Sequence, residues 1–400
     1  MAGFGPLQGV RIVDLGTMIA APYGASLLAD FGADVIKVEL PGTGDSSRAL
    51  TPQIDGISVR WTGLNRNKRC ITLDLKSSTG RDVFLKLVAK SDIIMENFRP
   101  GTLDRWGLDY ETLKEANPGI ILVHISGYGQ TGPNREMAGF GTPATAFSGV
   151  TYLMGDPELP PMSPPFSLAD YVAGMMAAFA GIMALYHRDV HHDEEGQEVD
   201  VSLYEPLFRM LEFLVAEFDK LGVVRERTPG LSGGASPAGT FQTQDGKWLV
   251  LVTSTERTWQ RLPAAIGRPE LLHDPRFQTN TDRVKHNDVL DKILTDWFAS
   301  LPYAESKARL DTAGCPVSLV YSIQDIFEDP HYQSRQDIIE VRHPTLGHIK
   351  MPGIVPKFSR TPGKVEFAGP ALGEHNEDVL SGLLGMSESE VQRLQEQGTI

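Results

Sequence analysis

The chain has 400 residues, 41% of them apolar, enough for two domains or one large one with a full core. Its formal net charge of −14 excludes a general nucleic-acid or anionic-membrane binder, because phosphate contacts need clustered Lys and Arg. The two cysteines, Cys70 and Cys315, lie far apart in sequence and suggest neither a disulfide scaffold nor a zinc site.

The start, MAGFGPLQGVRIVDLG, has no basic segment followed by an apolar one, so no signal peptide is expected and the cytoplasm is the default location. GVRIVDL then reads as a strand, PYGASLLADFGA as a helix opened by Pro22 and closed by Gly32, and DVIKVEL as a second strand. CITLDL, SSTGRDVFLKLVAK and DIIMENF repeat the pattern, and DYETLKEANPG with IILVHISGYG adds a helix and a strand. Such alternation predicts a mostly parallel, Rossmann-like α/β sheet flanked by helices, with ligands at the carboxyl ends of its strands. GFGTPA, from Gly139 to Ala144, formally fits a dinucleotide fingerprint, but it follows a polar segment and contains Pro143, so no nicotinamide or flavin site is expected.

PPFSLADYVAGMMAAFAGIMALYHR carries a single carboxylate, Asp170, at the front of an apolar, small-residue segment that reads as a buried helix. Its apolar run from Tyr171 to Tyr186 is shorter than the roughly 20 residues a bilayer needs. By position alone Asp170 is an N-cap or a first-turn residue set against the helix dipole. The run His191, His192, Asp193, Glu194, Glu195 reads as a solvated turn, and no metal site is expected.

Composition changes after Thr228. PGLSGGASPAG reads as loop, and GTFQTQDGKWLVLV as a hairpin turning at Asp245 and Gly246. Amphipathic helices near TWQRLPAAIG and KHNDVLDKILTDWFASL follow. The expected organisation is a large α/β domain over 1–195, a linker helix over 196–224, a small α+β domain over 225–330, and a return linker with a C-terminal helix packing on the large domain over 331–400.

Several segments in order resemble the family III coenzyme A transferases, the group of formyl-CoA transferase and carnitine CoA-transferase. They are GVRIVDLGTMIAAPYGASLLADFGADVIKVELPGTGDSSR, LNRNKRCITLDL, ENFRPGTLDRWGL, HISGYGQTGP, the Asp170 stretch, EEGQEVDVSLYE and ALGEHNEDVL. The resemblance makes Asp170 the catalytic nucleophile of a transfer of CoA from an acyl-CoA thioester to a free carboxylic acid, through aspartyl anhydride and aspartyl-CoA thioester intermediates. A carboxylate suits that role because it is both nucleophile and leaving group, and a dry site protects the anhydrides. CoA is substrate, and no permanently bound cofactor is implied. In the family, residues at the positions of Met18, Leu73, Leu75, Lys76, Asn97, Phe98 and Arg105 surround its nucleotide end, and the resemblance implies that Lys76 and Arg105 here neutralise phosphates. Without the resemblance, Leu73 and Leu75 read equally as sheet core, and Arg105 as a surface partner of Asp104 or Asp109. Leu40 stands where formyl-CoA transferase has a basic residue.

GLSGGAS corresponds to a loop that covers the catalytic Asp, with Gly233 and Gly234 giving it freedom to move. Phe140, Phe166 and Tyr171 are candidates for an acyl pocket, and small dicarboxylates are the acceptors common in the subgroup. The resemblance also implies an obligate homodimer of two open rings threaded through each other. Two other functions stay open: an α-methylacyl-CoA racemase, whose Gly-His-Asp setting is here Gly139, Phe140, Gly141 and lacks the proton carrier, and a noncatalytic subunit of a hetero-oligomeric transferase.

Overall fold

Runs rich in Val and Ile become the buried centre of a six-stranded parallel sheet in the computed structural model, which describes residues 4–192, 194–228, 234–253 and 255–400. Its strands are β1 (Arg11–Asp14), β2 (Asp34–Glu39), β3 (Lys68–Thr72), β4 (Ile93–Glu96), β5 (Ile121–Ser126) and β6 (Glu198–Ser202), in the order β3-β2-β1-β4-β5-β6. In β1, Val13 lies beside Ile36 on one side and Ile94 on the other. The order reverses between β1 and β4, and a sheet of this kind opens its ligand crevice at the carboxyl ends there.

Alternation along the strands feeds two cores. Ile12, Val35, Ile93, Ile121 and Val123 face helices α1 (Ala20–Ala29) and α4 (Leu168–His191). Val13, Ile36, Ile71, Ile94 and Leu122 face α2 (Ser78–Val88) and the C-terminal residues Val379, Leu380 and Leu394. The C-terminal segment is also tied to β3 by polar contacts: Thr72 N–H donates to Asn376 Oδ1 at 2.8 Å, and Cys70 N–H to His375 Nδ1 at 3.2 Å.

Helix α4 corrects one expectation. It is 24 residues long and, by length and composition, apolar enough to cross a membrane, yet half of its most apolar stretch is buried as in a core helix. Its buried face is made of small residues: Ala169, Ala173, Gly174, Ala177, Ala178 and Gly181. A Cβ on Gly174 would stand 2.5 Å from the Ala20 carbonyl oxygen, and one on Gly24 would stand 2.6 Å from the Gly174 carbonyl oxygen, so α1 and α4 cross backbone to backbone. The bulky Met175, Met176, Phe179, Met183 and Tyr186 are left exposed. The helix is therefore buried on one face only.

The linker helix expected over 196–224 begins instead with β6, an edge strand whose Glu198 and Asp200 carry polar side chains outward. Helices Glu205–Arg209 and Glu212–Leu221 follow it. The GFGTPA stretch does open a helix, α3 (Gly141–Phe147), but no strand leads into it.

The sheet belongs to a unit of Met1–Thr151, Ser163–Val223 and Gln333–Ile400; a second unit comprises Tyr152–Met162 and Val224–Tyr332. In the second, β7 (Ala238–Gln242), β8 (Trp248–Val252) and β9 (Val317–Leu319) form an antiparallel sheet, with Gly246 at φ 76° in the β7–β8 turn. Phe241 stacks on Phe298 at 5.1 Å in its core. The Tyr152–Met162 segment joins this unit through Tyr152 Oη donating to Glu226 at 2.5 Å and Arg227 donating to the Tyr152 carbonyl at 3.1 Å.

Candidate active site

Asp170 occupies the first turn of α4, three residues after the N-cap Ser167, whose side chain makes no capping bond. Its carboxylate rests on the start of α3. A Cβ built on Gly141 would fall 1.9 Å from Asp170 Oδ2, so the bare Cα of Gly141 is what lets the carboxylate sit there. Among the described residues no cation pairs with Asp170. Burial raises its carboxyl from the ordinary 3.8 to about 6, slightly offset by a hydrogen bond from its own backbone. Of the two positions the sequence left open for Asp170, N-cap and first turn, it takes the second; the part played by Gly141 was missed, because an absent side chain leaves no mark in composition.

At the switch point between β1 and β4, Asn97 holds the β1 loop: its Oδ1 accepts from Thr17 N–H at 2.7 Å and its Nδ2 donates to the Thr17 carbonyl at 2.8 Å. Met18 follows with φ 62°, a left-handed conformation uncommon outside glycine, and its N–H donates to Asp45 Oδ1 at 3.1 Å. A fully buried charge cluster underpins this turn. Lys37 Nζ lies 3.0 Å from Asp45 and donates to the Gly16 carbonyl at 2.7 Å, while Lys68 Nζ lies 2.8 Å from Asp14. Burial opposes the charge on Lys37, but Asp14, Asp45 and Glu39 outweigh it and hold the amine above its ordinary range. Lys68 goes the other way, lowered by burial despite Asp14. None of these buried partners was legible as a site residue.

Beside the turn, a cavity of about 300 Å³ is lined by Leu73, Leu75, Lys76 and Phe98, together with Leu40 and Trp106. Phe98 and Trp106 meet edge to face at 5.1 Å, giving the cavity an aromatic wall. Leu73 and Leu75 are also sheet core, at 2% and 7% exposure, as one of their two sequence readings has it. Arg105 stands outside the cavity lining. It is exposed, its guanidinium donates to Thr102 Oγ1 at 2.8 Å, and among the described residues it pairs with neither Asp104 nor Asp109.

Of the three acyl-pocket candidates, Phe166 and Tyr171 meet ring to ring at 6.5 Å, but only Tyr171 reaches a cavity. Tyr171 packs edge to face on Tyr23 at 4.8 Å and lines a second cavity, of about 460 Å³, whereas Phe140 and Phe166 are 69% and 56% exposed and line neither cavity. Of the glycine loop, Gly233 lies outside the described residues. Gly234 lies in the second unit, where its carbonyl accepts from Asn280 Nδ2 at 2.9 Å.

A doubly wound sheet with its crevice at the β1/β4 switch and a desolvated carboxylate on a glycine fits a CoA-handling enzyme, and comparison with known proteins makes the class specific. The model of CoA-transferase family III matches residues 7–376. The chain is 40% identical to succinyl-CoA–D-citramalate CoA-transferase of Chloroflexus aurantiacus, over 98% of this chain and 97% of that one. It is also 40% identical to the beta subunit of succinyl-CoA–L-malate CoA-transferase from the same organism, over 99% and 98%. Among solved structures, a CaiB/BaiF family protein from Brucella suis superposes with a TM-score of 0.84 at 30% identity, covering 95% of this chain and all of that one. The chain belongs to CoA-transferase family III. It is an enzyme that moves CoA from an acyl-CoA thioester to a free carboxylic acid.

Proposed function

We propose that this enzyme passes CoA between small dicarboxylic acids through covalent intermediates on Asp170. The observation that carries the covalent route is the Asp170 carboxylate itself, desolvated, without a cationic partner among the described residues and seated against Gly141. Such a carboxylate is a stronger nucleophile than a solvated one. Its oxygen attacks the thioester carbonyl, the C–S bond breaks and CoA leaves as thiolate. The thiolate attacks the aspartyl carbonyl of the anhydride and releases the donor acid. The acceptor carboxylate then attacks the aspartyl-CoA thioester, expelling thiolate again, and the thiolate attacks the acceptor acyl carbon and returns Asp170 as carboxylate. No proton is gained or lost in the cycle. The dicarboxylate assignment is supported by the citramalate and malate in the names of the two relatives.

In this reading the nucleotide end of CoA lies at the cavity of Leu73, Leu75 and Phe98, and Trp106 joins the wall. Lys76 and Arg105 meet the phosphates, while Met18 and Asn97 shape the turn beneath them. The loop of Gly233 and Gly234 serves as a lid, supported by the open space around Gly234, where an added Cβ meets nothing within 4 Å. The cytoplasm is the proposed location, consistent with two buried, unpaired cysteines.

We also propose a homodimer of interlocked rings. It is supported by the apolar stripe of α4, where Met175, Phe179, Met183 and Tyr186 are 44%, 60%, 49% and 63% exposed, a surface that a lone chain in water leaves costly. The name of the beta-subunit relative favours a second reading, assembly with a related but different chain. Incubating the purified chain with a panel of acyl-CoA donors and free acids, read by mass spectrometry, tests both. Exchange among dicarboxylates by a single-chain dimer is expected; exchange that begins only when a second polypeptide is added would replace the homodimer, and exchange confined to monocarboxylates would remove the dicarboxylate assignment.

A further inference from the structure

The cavity that Tyr171 lines is walled mainly by apolar side chains, among them Ile19, Leu50, Val59 and Val355. Ile19 is the sequence neighbour of Met18 and Tyr171 that of Asp170, so two of its lining residues stand one position along the chain from the β1 turn and from the carboxylate in the first turn of α4. Two of its charges cancel each other. Arg66 clasps Asp30 through Nε at 3.0 Å and Nη2 at 2.5 Å, and Arg66 Nη1 also donates to the Pro352 carbonyl at 2.6 Å. Lys350, a third charge on the lining, has an interaction partner of its own.

Arg60 is different. It sits in the first turn of the short helix Val59–Leu64, is exposed on the cavity lining, and among the described residues has no carboxylate or carbonyl partner. An apolar chamber of this size with one uncompensated guanidinium is complementary to a short hydrocarbon chain ending in a carboxylate. Arg binds that group in a two-point fork that Lys lacks.

We infer that Arg60 binds the distal carboxylate of the dicarboxylate substrate, with the substrate's carbon chain in the Ile19–Leu50–Val59 chamber. Arg60 is thus a specificity-determining residue, separate from Asp170 and from the CoA cavity. The inference rests on the dicarboxylate reading given above, and it adds the group that selects a dicarboxylate over a monocarboxylate of equal length.

The test compares succinate with butyrate as acceptors for wild type, Arg60→Met and Arg60→Lys, with dimer mass and circular dichroism recorded for each. The expected result is that wild type prefers succinate. In Arg60→Met the KM for succinate should rise about tenfold to a hundredfold, the span of a lost charge-assisted hydrogen bond. The KM for butyrate and for the CoA thioester should stay within about twofold, and Arg60→Lys should recover part of the loss. A wild type that prefers succinate while Arg60→Met leaves the preference intact, or weakens both acids equally, overturns the assignment to Arg60 and leaves the dicarboxylate reading standing. A wild type indifferent between the two acids contradicts the dicarboxylate reading and the role of Arg60 together. Dissociation or loss of ellipticity in both variants also overturns the inference, since Arg60 would then serve the fold or the subunit contact.

Discussion

Replacing Asp170 by Asn should abolish transfer and, above neutrality, stabilise the protein. In the folded chain burial holds the carboxyl at about 6 against an ordinary 3.8. A carboxyl whose pKa is raised on folding ionises first in the unfolded chain, so its ionisation favours unfolding as pH rises from about 4 to about 6. At about 1.4 kcal/mol per pKa unit, the full effect is about 3 kcal/mol, and screening of the part of the carboxylate still in contact with water reduces it to about 1–3 kcal/mol. Asn keeps the shape and removes the charge. Urea denaturation of both proteins at fixed concentration, from pH 4 to pH 8, should show nearly equal stability at the acid end and an advantage for Asp170→Asn that grows up to about pH 6 and levels off above it. A gap that does not change with pH, or a variant less stable at pH 8, would refute the claim that this carboxylate is held in a desolvated site. The same carboxyl predicts that wild-type kcat/KM climbs through about pH 6 as the nucleophile ionises.

Gly141→Ala puts a methyl group where Asp170 Oδ2 now lies, so the carboxylate must rotate away. Turnover should fall about a hundredfold with the KM for acyl-CoA and the melting temperature nearly unchanged, read by steady-state kinetics and calorimetry. Gly174→Ala drives a Cβ into the Ala20 carbonyl at the α1–α4 crossing and should cost about 1–3 kcal/mol of stability in denaturant. His124 is half of a buried pair with Glu96 at 2.5 Å and also meets Glu198 at 3.2 Å. Burial opposes its charge, but the two carboxylates prevail and raise its pKa. Its contribution is therefore full below the ordinary histidine range and lost as pH rises through the raised value, so His124→Gln should flatten the alkaline decline in denaturation midpoint. Arg105→Ala should raise the KM for CoA thioesters and leave kcat alone, since the side chain is exposed and has no carboxylate partner among the described residues.

The parallel sheet was legible because its central strands are buried on both faces and read as short, mainly aliphatic runs, as in DVIKVE, IIME and ILVHIS. Edge strand β6 was not, since EVDVS alternates charge with Val and sits in a segment otherwise helical. Helix α4 was found, but was expected to be buried all round: Met and Phe on one side and Ala and Gly on the other are both apolar, and only the backbone contact of Gly24 with Gly174 shows which side turns inward. Asp170 stood out as a lone carboxylate among apolar residues. What positions the rest of the site is tertiary: the left-handed Met18, the buried Lys37 and Asp45 beneath it, Trp106 against Phe98, and an Arg60 distinguished only by the partner it lacks.

The covalent role of Asp170 is tested most directly by trapping. Wild-type enzyme mixed with succinyl-CoA and quenched with hydroxylamine should yield, on peptide mapping by mass spectrometry, a hydroxamate on the peptide carrying Asp170 and on no other. The adduct should require the thioester and be absent from Asp170→Asn. Undiminished exchange with an unmodified Asp170 peptide, or a hydroxamate on a different carboxylate, would contradict it.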